Sequence, residues 1–259
     1  MSWRLGVVGS PIQHSLSPRL HAEGLRLAGL EGVSAAIEVT RDEGARLRDL
    51  ISTQCDALSV TMPLKSLAAG LCDELDDVAA RTGVVNSLLS RDGKILGACT
   101  DGQGFVAATQ AQFDVSLSGL NVVVLGAGGA ARGIVDALVH AGVRKVLVSG
   151  RTPSKVNALA RLYENVVAFE SSRDEADLLI NATPAASREM TTEVLAFRDN
   201  AMAVDIAYDP VMTPWRSLYE DAGCRTTNGL GMLAYQAALQ MTWWFSTLID
   251  GADLLAVIQ

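Results

Sequence analysis

The segment NVVVLGAGGAARGIVDALVHAGVRKVLVSGRTPSK, Asn121 to Lys155, sets the reading of the whole chain. Val122 to Leu125 is a short unbroken apolar run, as expected of a strand covered on both faces in a parallel sheet. Gly126, Ala127, Gly128, Gly129 and Ala130 follow at once, and a helical stretch then leads to a second strand, Lys145 to Ser149. Glycine at the first position permits a tight turn. Small residues after it let the main chain approach a pyrophosphate held on free helix N–H groups. The strict fingerprint has a third glycine where Ala131 stands, a position at which only helix packing is at stake. The pattern implies a dinucleotide site, against the plainer alternative of a glycine-rich helix start with no ligand.

The end of the second strand separates the two nicotinamide cofactors. An acid there would read the ribose 2′-hydroxyl of NAD, but the chain continues Gly150, Arg151, Thr152, Pro153, Ser154, Lys155. Two cations and two hydroxyls suit a 2′-phosphate, because a guanidinium forks onto phosphate oxygens and an ammonium adds a point charge. Cations at a helix N-terminus also oppose the helix dipole unless an anion joins them. The expected cofactor is NADP.

A length of 259 residues suffices for one large or two ordinary domains. The hydrophobic share is 49%, yet no apolar run approaches the ~18 residues of a membrane span. The opening MSWRLGVVGSPIQHS has no apolar block of the signal-peptide kind, so a soluble cytoplasmic protein is expected. Cys55, Cys72, Cys99 and Cys224 are scattered without a CxxC pair; reduced thiols are the default, and neither a metal site nor a disulfide framework is expected. A net charge of -8 with no basic stripe argues against a nucleic-acid partner.

The first hundred residues alternate strand and helix, which gives a βαβ-type domain separate from the dinucleotide one. Leu5 to Val8 reads as a strand, and Ser17 as the N-cap of a helix with Pro18 at its first position and Gly29 closing it. Ser15 and Ser17 offer hydroxyls and a positive dipole end to a small anion. Ser34 to Val39 reads as a strand, Asp42 to Ser52 as a helix, and Ala57 to Thr61 as a third strand whose carboxyl end carries Thr61 and Lys65. Asp92 and Gly93 turn a hairpin between Val84–Ser90 and Lys94–Ala98, which brings Asn86 near Asp101. Downstream, Gly102 to Phe113 reads as a helix. Strands are expected before Ala182 and over Ala203 to Ala207, and the Trp243, Trp244, Phe245 cluster reads as core packing.

Taken together the motifs resemble the shikimate dehydrogenase family, which reduces 3-dehydroshikimate with NADPH. Ser15-Leu16-Ser17-Pro18 resembles its carboxylate-binding serines, Val60 to Lys65 the segment with its catalytic lysine, and Thr100-Asp101 the segment with the partnering aspartate. Gly126 to Ala130 and Gly150-Arg151-Thr152 match its NADP segments. Asp177 to Pro184, Asp205 to Pro210, and Asn228 to Leu233 with Gln236 are similar to its remaining landmarks. The resemblance implies a two-domain α/β protein, with a substrate domain over 1–101 completed by helices in 232–259 and a Rossmann-like doubly wound NADP domain over 102–231.

It implies Lys65 and Asp101 as the catalytic pair, and Ser15, Ser17, Thr61, Asn86, Tyr208 and Gln236 as substrate ligands. Gly126, Ala127, Gly128, Gly129, Ala130, Gly150, Arg151, Thr152, Lys155, Ile206 and Gly229 would surround the cofactor. The chain would then act on a small hydroxylated acid, as a monomer or homodimer, in the route to chorismate and aromatic amino acids. Departures from the pattern stand at Ser59, Cys99 and Gly150, where the family usually has Asn, and at Ala22 and Lys155. Ser59 and Cys99 leave room for a relative acting on quinate or an amino analogue of shikimate. A redox-silent sensor of NADP and a small acid is disfavoured by retention of Lys65 and Asp101, and a folate-linked dehydrogenase by Ser15 and Ser17.

Overall fold

The structure, a computed structural model, describes residues 2–169, 175–183 and 195–259. It divides into two compact units, Met1–Gly104 together with Leu233–Gln259, and Phe105–Met232. The first begins with β1 (Trp3–Gly9), α1 (Ser17–Ala28) and β2 (Gly32–Glu38). A 3-10 turn (Arg41–Glu43), α2 (Gly44–Asp49) and a π turn (Leu50–Gln54) lead to β3 (Ala57–Val60) and α3 (Lys65–Ala69). Then come β4 (Glu74–Leu75), α4 (Asp77–Thr82), β5 (Ser87–Arg91), β6 (Lys94–Ala98) and α5 (Asp101–Phe113).

The sheet order is β2-β1-β3-β5-β6-β4. It is parallel around β1 and antiparallel where the hairpin joins at β3 to β5 and β5 to β6. Asp92 (φ 53°) and Gly93 (φ 75°) both have positive φ, which is what the expected two-residue turn demands. Most strand ends shift by one to a few residues from the sequence reading, and two features differ in kind. Ser17 is the first helical residue of α1 rather than its cap, Leu16 holding the N-cap place; the Ser17 N–H donates to Ser15 Oγ at 3.2 Å, so the earlier serine does the capping. The single helix expected over Asp42 to Ser52 is three short pieces, although Leu47, Leu50 and Ile51 are all buried as that helix required.

The second unit runs through β7 (Asn121–Leu125), α6 (Gly129–His140), β8 (Lys145–Ser149), α7 (Pro153–Ala160) and β9 (Val166–Ala168). It continues with β10 (Ala176–Asn181), β11 (Phe197–Asp205), α8 (Pro214–Asp221) and β12 (Arg225–Thr227). Among the described residues its six strands are all parallel, in the order β12-β11-β10-β7-β8-β9. This is a doubly wound sheet whose two halves diverge between β7 and β10, the place where such sheets bind ligands. The apolar run of β7 shows why. Val122 and Val124 pack with Ile134, Val135 and Leu138 of α6, whereas Val123 and Leu125 pack with Trp215 and Tyr219 of α8. Each face is worth roughly 1.5–3 kcal/mol per buried side chain, so neither face tolerates a polar residue.

The chain closes with α9 (Leu230–Phe245) and α10 (Gly251–Ile258). Trp244 is 1% exposed and donates from Nε1 to Ser87 Oγ at 2.8 Å, while Phe245 meets Trp3 edge to face, so these aromatics are core and its margin. Among the described residues no helix is long and apolar enough to cross a membrane. Pro184, the last residue of one sequence motif, lies outside the described residues.

Candidate active site

Lys65 and Asp101 each open a helix, α3 and α5, that follows directly on a strand-end turn of the first sheet. Their side chains meet: Lys65 Nζ donates to Asp101 Oδ2 at 2.5 Å, with Lys65 14% and Asp101 4% exposed at the side chain. An ion pair this sheltered is costly to desolvate, and removing one partner strands the other charge. Asp101 Oδ1 accepts from Asn86 Nδ2 at 2.9 Å, so the hairpin does bring its two ends together. Thr100 N–H donates to Asn86 Oδ1 at 2.8 Å, which sets the direction of that amide.

Gln236 reaches the same cluster from α9. Its Oε1 lies 3.0 Å from Asn86 Nδ2, and Thr100 Oγ1 donates to the Gln236 main-chain carbonyl at 3.1 Å. The backbones come this close because position 104 is glycine; a Cβ there would stand 2.5 Å from the Gln236 nitrogen.

Behind these residues lies a second polar layer, of which only Ser59 stood out in the sequence, as a departure from the family pattern. Gln240 is 1% exposed and donates from Nε2 to the Asn86 carbonyl (2.9 Å) and to Gln236 Oε1 (2.8 Å). Ser59 Oγ donates to Gln240 Oε1 at 2.5 Å and lies 3.0 Å from His21 Nε2, whose Nδ1 is 2.7 Å from Ser34 Oγ. Burial lowers the His21 pKa to about 3, so the ring is neutral. Only the spacing of Gln236 and Gln240, one helical turn apart, hinted that both face the same way. Cys99, the other noted departure, is a member of the core with Val84, Val85 and Leu88, and burial with the Asp101 carboxylate pushes its thiol up to about 12.

Ser15 and Ser17 form their own small group at the start of α1. Their turn is tied to the one carrying Thr61, since Ser10 N–H donates to the Met62 carbonyl at 3.0 Å and Thr61 N–H to the Val8 carbonyl at 2.9 Å. Both turns follow the carboxyl ends of adjacent parallel strands, β1 and β3.

In the second unit, Gly126 follows β7 with φ 119°, and a Cβ there would stand 2.7 Å from the Ala182 carbonyl oxygen after β10. Only glycine meets both demands. Gly128 is the N-cap of α6 with no side-chain cap, and a Cβ on it would meet nothing within 4 Å. Ala127, Gly129 and Ala130 are half-buried beside it, so the turn presents bare main chain and a helix N-terminus, a fit for pyrophosphate. Gly150, Arg151, Thr152 and Lys155 are all exposed at the start of α7, whose first turn holds no acid. Ile206 and Gly229 are neighbours: Gly229 N–H donates to the Ala207 carbonyl at 3.0 Å, and any side chain at position 229 would collide with the Ile206 main chain. Tyr208 is half-buried in the same loop, which Asp205 anchors by accepting from the Ala207 N–H (3.1 Å) and the Thr213 hydroxyl (2.5 Å).

A doubly wound parallel sheet with a glycine turn at its switch point, joined to an α/β unit holding a sheltered lysine–aspartate pair, defines a nicotinamide-dependent dehydrogenase of small polar substrates. Comparison with known proteins narrows the class. Residues 7–88 match the model of the shikimate dehydrogenase substrate binding domain, and residues 107–215 that of shikimate / quinate 5-dehydrogenase. The NADP(+)-type shikimate dehydrogenase of Thermus thermophilus is 36% identical, over 97% of this chain and 95% of its own, and that of an Exiguobacterium species is 36% identical over 93% and 92%. A solved structure of the Thermus thermophilus enzyme in complex with NADP(H) and shikimate superposes with a TM-score of 0.84 at 34% identity, covering 98% of each chain. The chain belongs to the shikimate dehydrogenase family.

Proposed function

We propose that this protein is an NADP-dependent shikimate dehydrogenase, which reduces the ketone of 3-dehydroshikimate to the secondary alcohol of shikimate and runs the reverse oxidation. The observation that carries the reading is the Lys65–Asp101 ion pair, held by Asn86 within the unit that matches the substrate binding domain. Bound NADPH supplies the hydride that reaches the carbonyl carbon. The negative charge that grows on the carbonyl oxygen needs a proton, and Lys65 Nζ gives it; in the oxidation the same nitrogen takes the hydroxyl proton. Asp101 holds the amine in line, and Asn86 holds Asp101.

The remaining roles follow from the resemblance to the family, and the chemistry of each group suits them. Ser15 and Ser17 bind the substrate carboxylate through hydroxyls at the start of α1, with Tyr208 contributing a further hydroxyl. Thr61, Asn86 and Gln236 hydrogen-bond the ring hydroxyls. Main-chain N–H groups of Gly126 to Ala130 hold the pyrophosphate, and Ile206 and Gly229 flank the nicotinamide end. Arg151, Thr152 and Lys155, beside Gly150, hold the 2′-phosphate. The product feeds the synthesis of chorismate and aromatic amino acids. The test is the reduced-nicotinamide absorbance of purified protein with NADP and shikimate, with quinate and NAD as parallel arms. A flat trace with saturating shikimate and NADP sinks the reading.

A further inference from the structure

Three carboxamides lie side by side in the first unit, and a main-chain group sets the direction of each. Asn86 Oδ1 accepts from Thr100 N–H, so its Nδ2 faces Asp101 and Gln236. Gln236 Nε2 donates to the Leu233 carbonyl at 2.8 Å, so its Oε1 faces Asn86 and Gln240. Gln240 Nε2 spends one hydrogen on the Asn86 carbonyl and the other on Gln236 Oε1. The free end of Gln240 is therefore its oxygen, and Ser59 donates to it. With its own hydrogen used, Ser59 accepts from His21 Nε2–H, and Ser34 donates to His21 Nδ1. A neutral His21 keeps this order of donors and acceptors through the working pH range.

The order has a chemical result at Gln236, which is 8% exposed. A carbonyl oxygen has two lone pairs, and those of Gln236 Oε1 meet Asn86 Nδ2 and Gln240 Nε2. One Nε2 hydrogen goes to Leu233. What Gln236 has left for a ligand is one N–H, and nothing that accepts. We propose that Gln240 is a positioning residue that holds Gln236 as a donor, and that the site thereby selects an oxygen over an ammonium group at the ring position Gln236 meets. A hydroxyl or keto oxygen accepts that N–H, whereas an ammonium has only hydrogens to offer and no lone pair. The inference rests on the functional reading above, with Gln236 as a ligand of the substrate.

The test compares kcat/KM for shikimate with that for analogues carrying an amine in place of either non-reacting ring hydroxyl, using wild type, Gln240→Glu and Gln240→Met. Wild type is expected to discriminate by about 100-fold or more against the amine at one of the two positions, since a buried donor left without its acceptor is strongly penalised. Glutamate at position 240 removes the donor to Gln236 Oε1 and sets an acceptor against it, so the amide loses one of the two contacts that keep its oxygen inward, and turning that oxygen to the ligand then costs only the Leu233 and Asn86 contacts. That variant should narrow the preference by about 10-fold or more, through KM for shikimate rather than kcat. Gln240→Met should weaken both substrates and change the ratio less. Equal kcat/KM for shikimate and both amines in wild type overturns the inference whether or not any variant folds. So does an unchanged ratio in Gln240→Glu that keeps the wild-type melting temperature. Wild type that turns over none of the three compounds fails differently, by removing the functional reading itself.

Discussion

The candidate site residues of the first unit and those of the second are built from opposite materials. In the first unit the charged and amide groups belong to side chains carried by different elements, α3, the turn before β5, α5 and α9, and they hold one another. In the second unit the turn after β7 is main chain, and what defines it is the side chains it lacks. A site of the first kind fails by subtraction, because a removed group leaves a buried partner unpaired. A site of the second kind fails by addition, because a methyl group fills the space its ligand or its neighbour needs.

The sharpest subtraction is Lys65→Ala, expected to lower kcat by about 10²- to 10⁴-fold with a modest change in KM, as for a lost acid/base. Steady-state kinetics with both substrates check it, and an unchanged kcat takes Lys65 out of the mechanism. The sharpest addition is Gly126→Ala. Its positive φ and the nearby Ala182 carbonyl should together cost about 2–4 kcal/mol, read as a lower melting temperature and loss of NADP binding. If Gly126→Ala binds NADP normally, the contrast between the two units breaks. Arg151→Ala lies between the two kinds, a side chain added to a main-chain site. It should weaken NADPH by about 10- to 100-fold, the worth of a charge-assisted contact, and leave NADH nearly untouched; equal loss of both refutes the phosphate assignment.

The smallest effect probes how deep the side-chain network runs. Buried His21 takes a proton only near pH 3, whereas the unfolded chain takes it near 6.5. Between those values the unfolded state holds the extra proton, so the His21 contribution to stability is complete above pH 6.5 and is lost as the pH falls toward 3, at about 1.4 kcal/mol per unit. Urea unfolding at several pH values between 7 and 5, on wild type and His21→Gln, should show a slope one proton smaller in the variant. Coincident slopes would mean that another group is responsible.

What could be read in the sequence was whatever depends on near neighbours. The strand, glycine turn, helix and strand of Asn121 to Ser149 lie within one βαβ unit, and Asp92-Gly93 is a turn signal complete in two residues; both appear in the structure. The pairing of Lys65 with Asp101 was legible only through the resemblance of their two motifs to the family, because a lysine after a strand reads by itself as a solvated charge. Gln240 was not, because a glutamine on a helix reads as a solvated residue unless its partners are known. Those partners, Ser59 and Asn86, lie 181 and 154 residues away. His21 was equally silent, its burial being a property of α1 against the sheet rather than of the letters around it. The break of the Asp42 to Ser52 helix escaped for another reason. Apolar spacing places Leu47, Leu50 and Ile51 inward but does not distinguish an α turn from a π turn over so short a run.

The return of Leu233–Gln259 to the first unit has a bearing on how the protein is born. Asn86 leaves the ribosome 150 residues ahead of Gln236, roughly 8 to 30 s at ordinary translation speeds. During that interval the N-terminal lobe lacks the helix that carries Gln236 and Gln240, while the lobe synthesised in between is one continuous stretch. The segment that completes the first lobe is therefore made only after the second lobe.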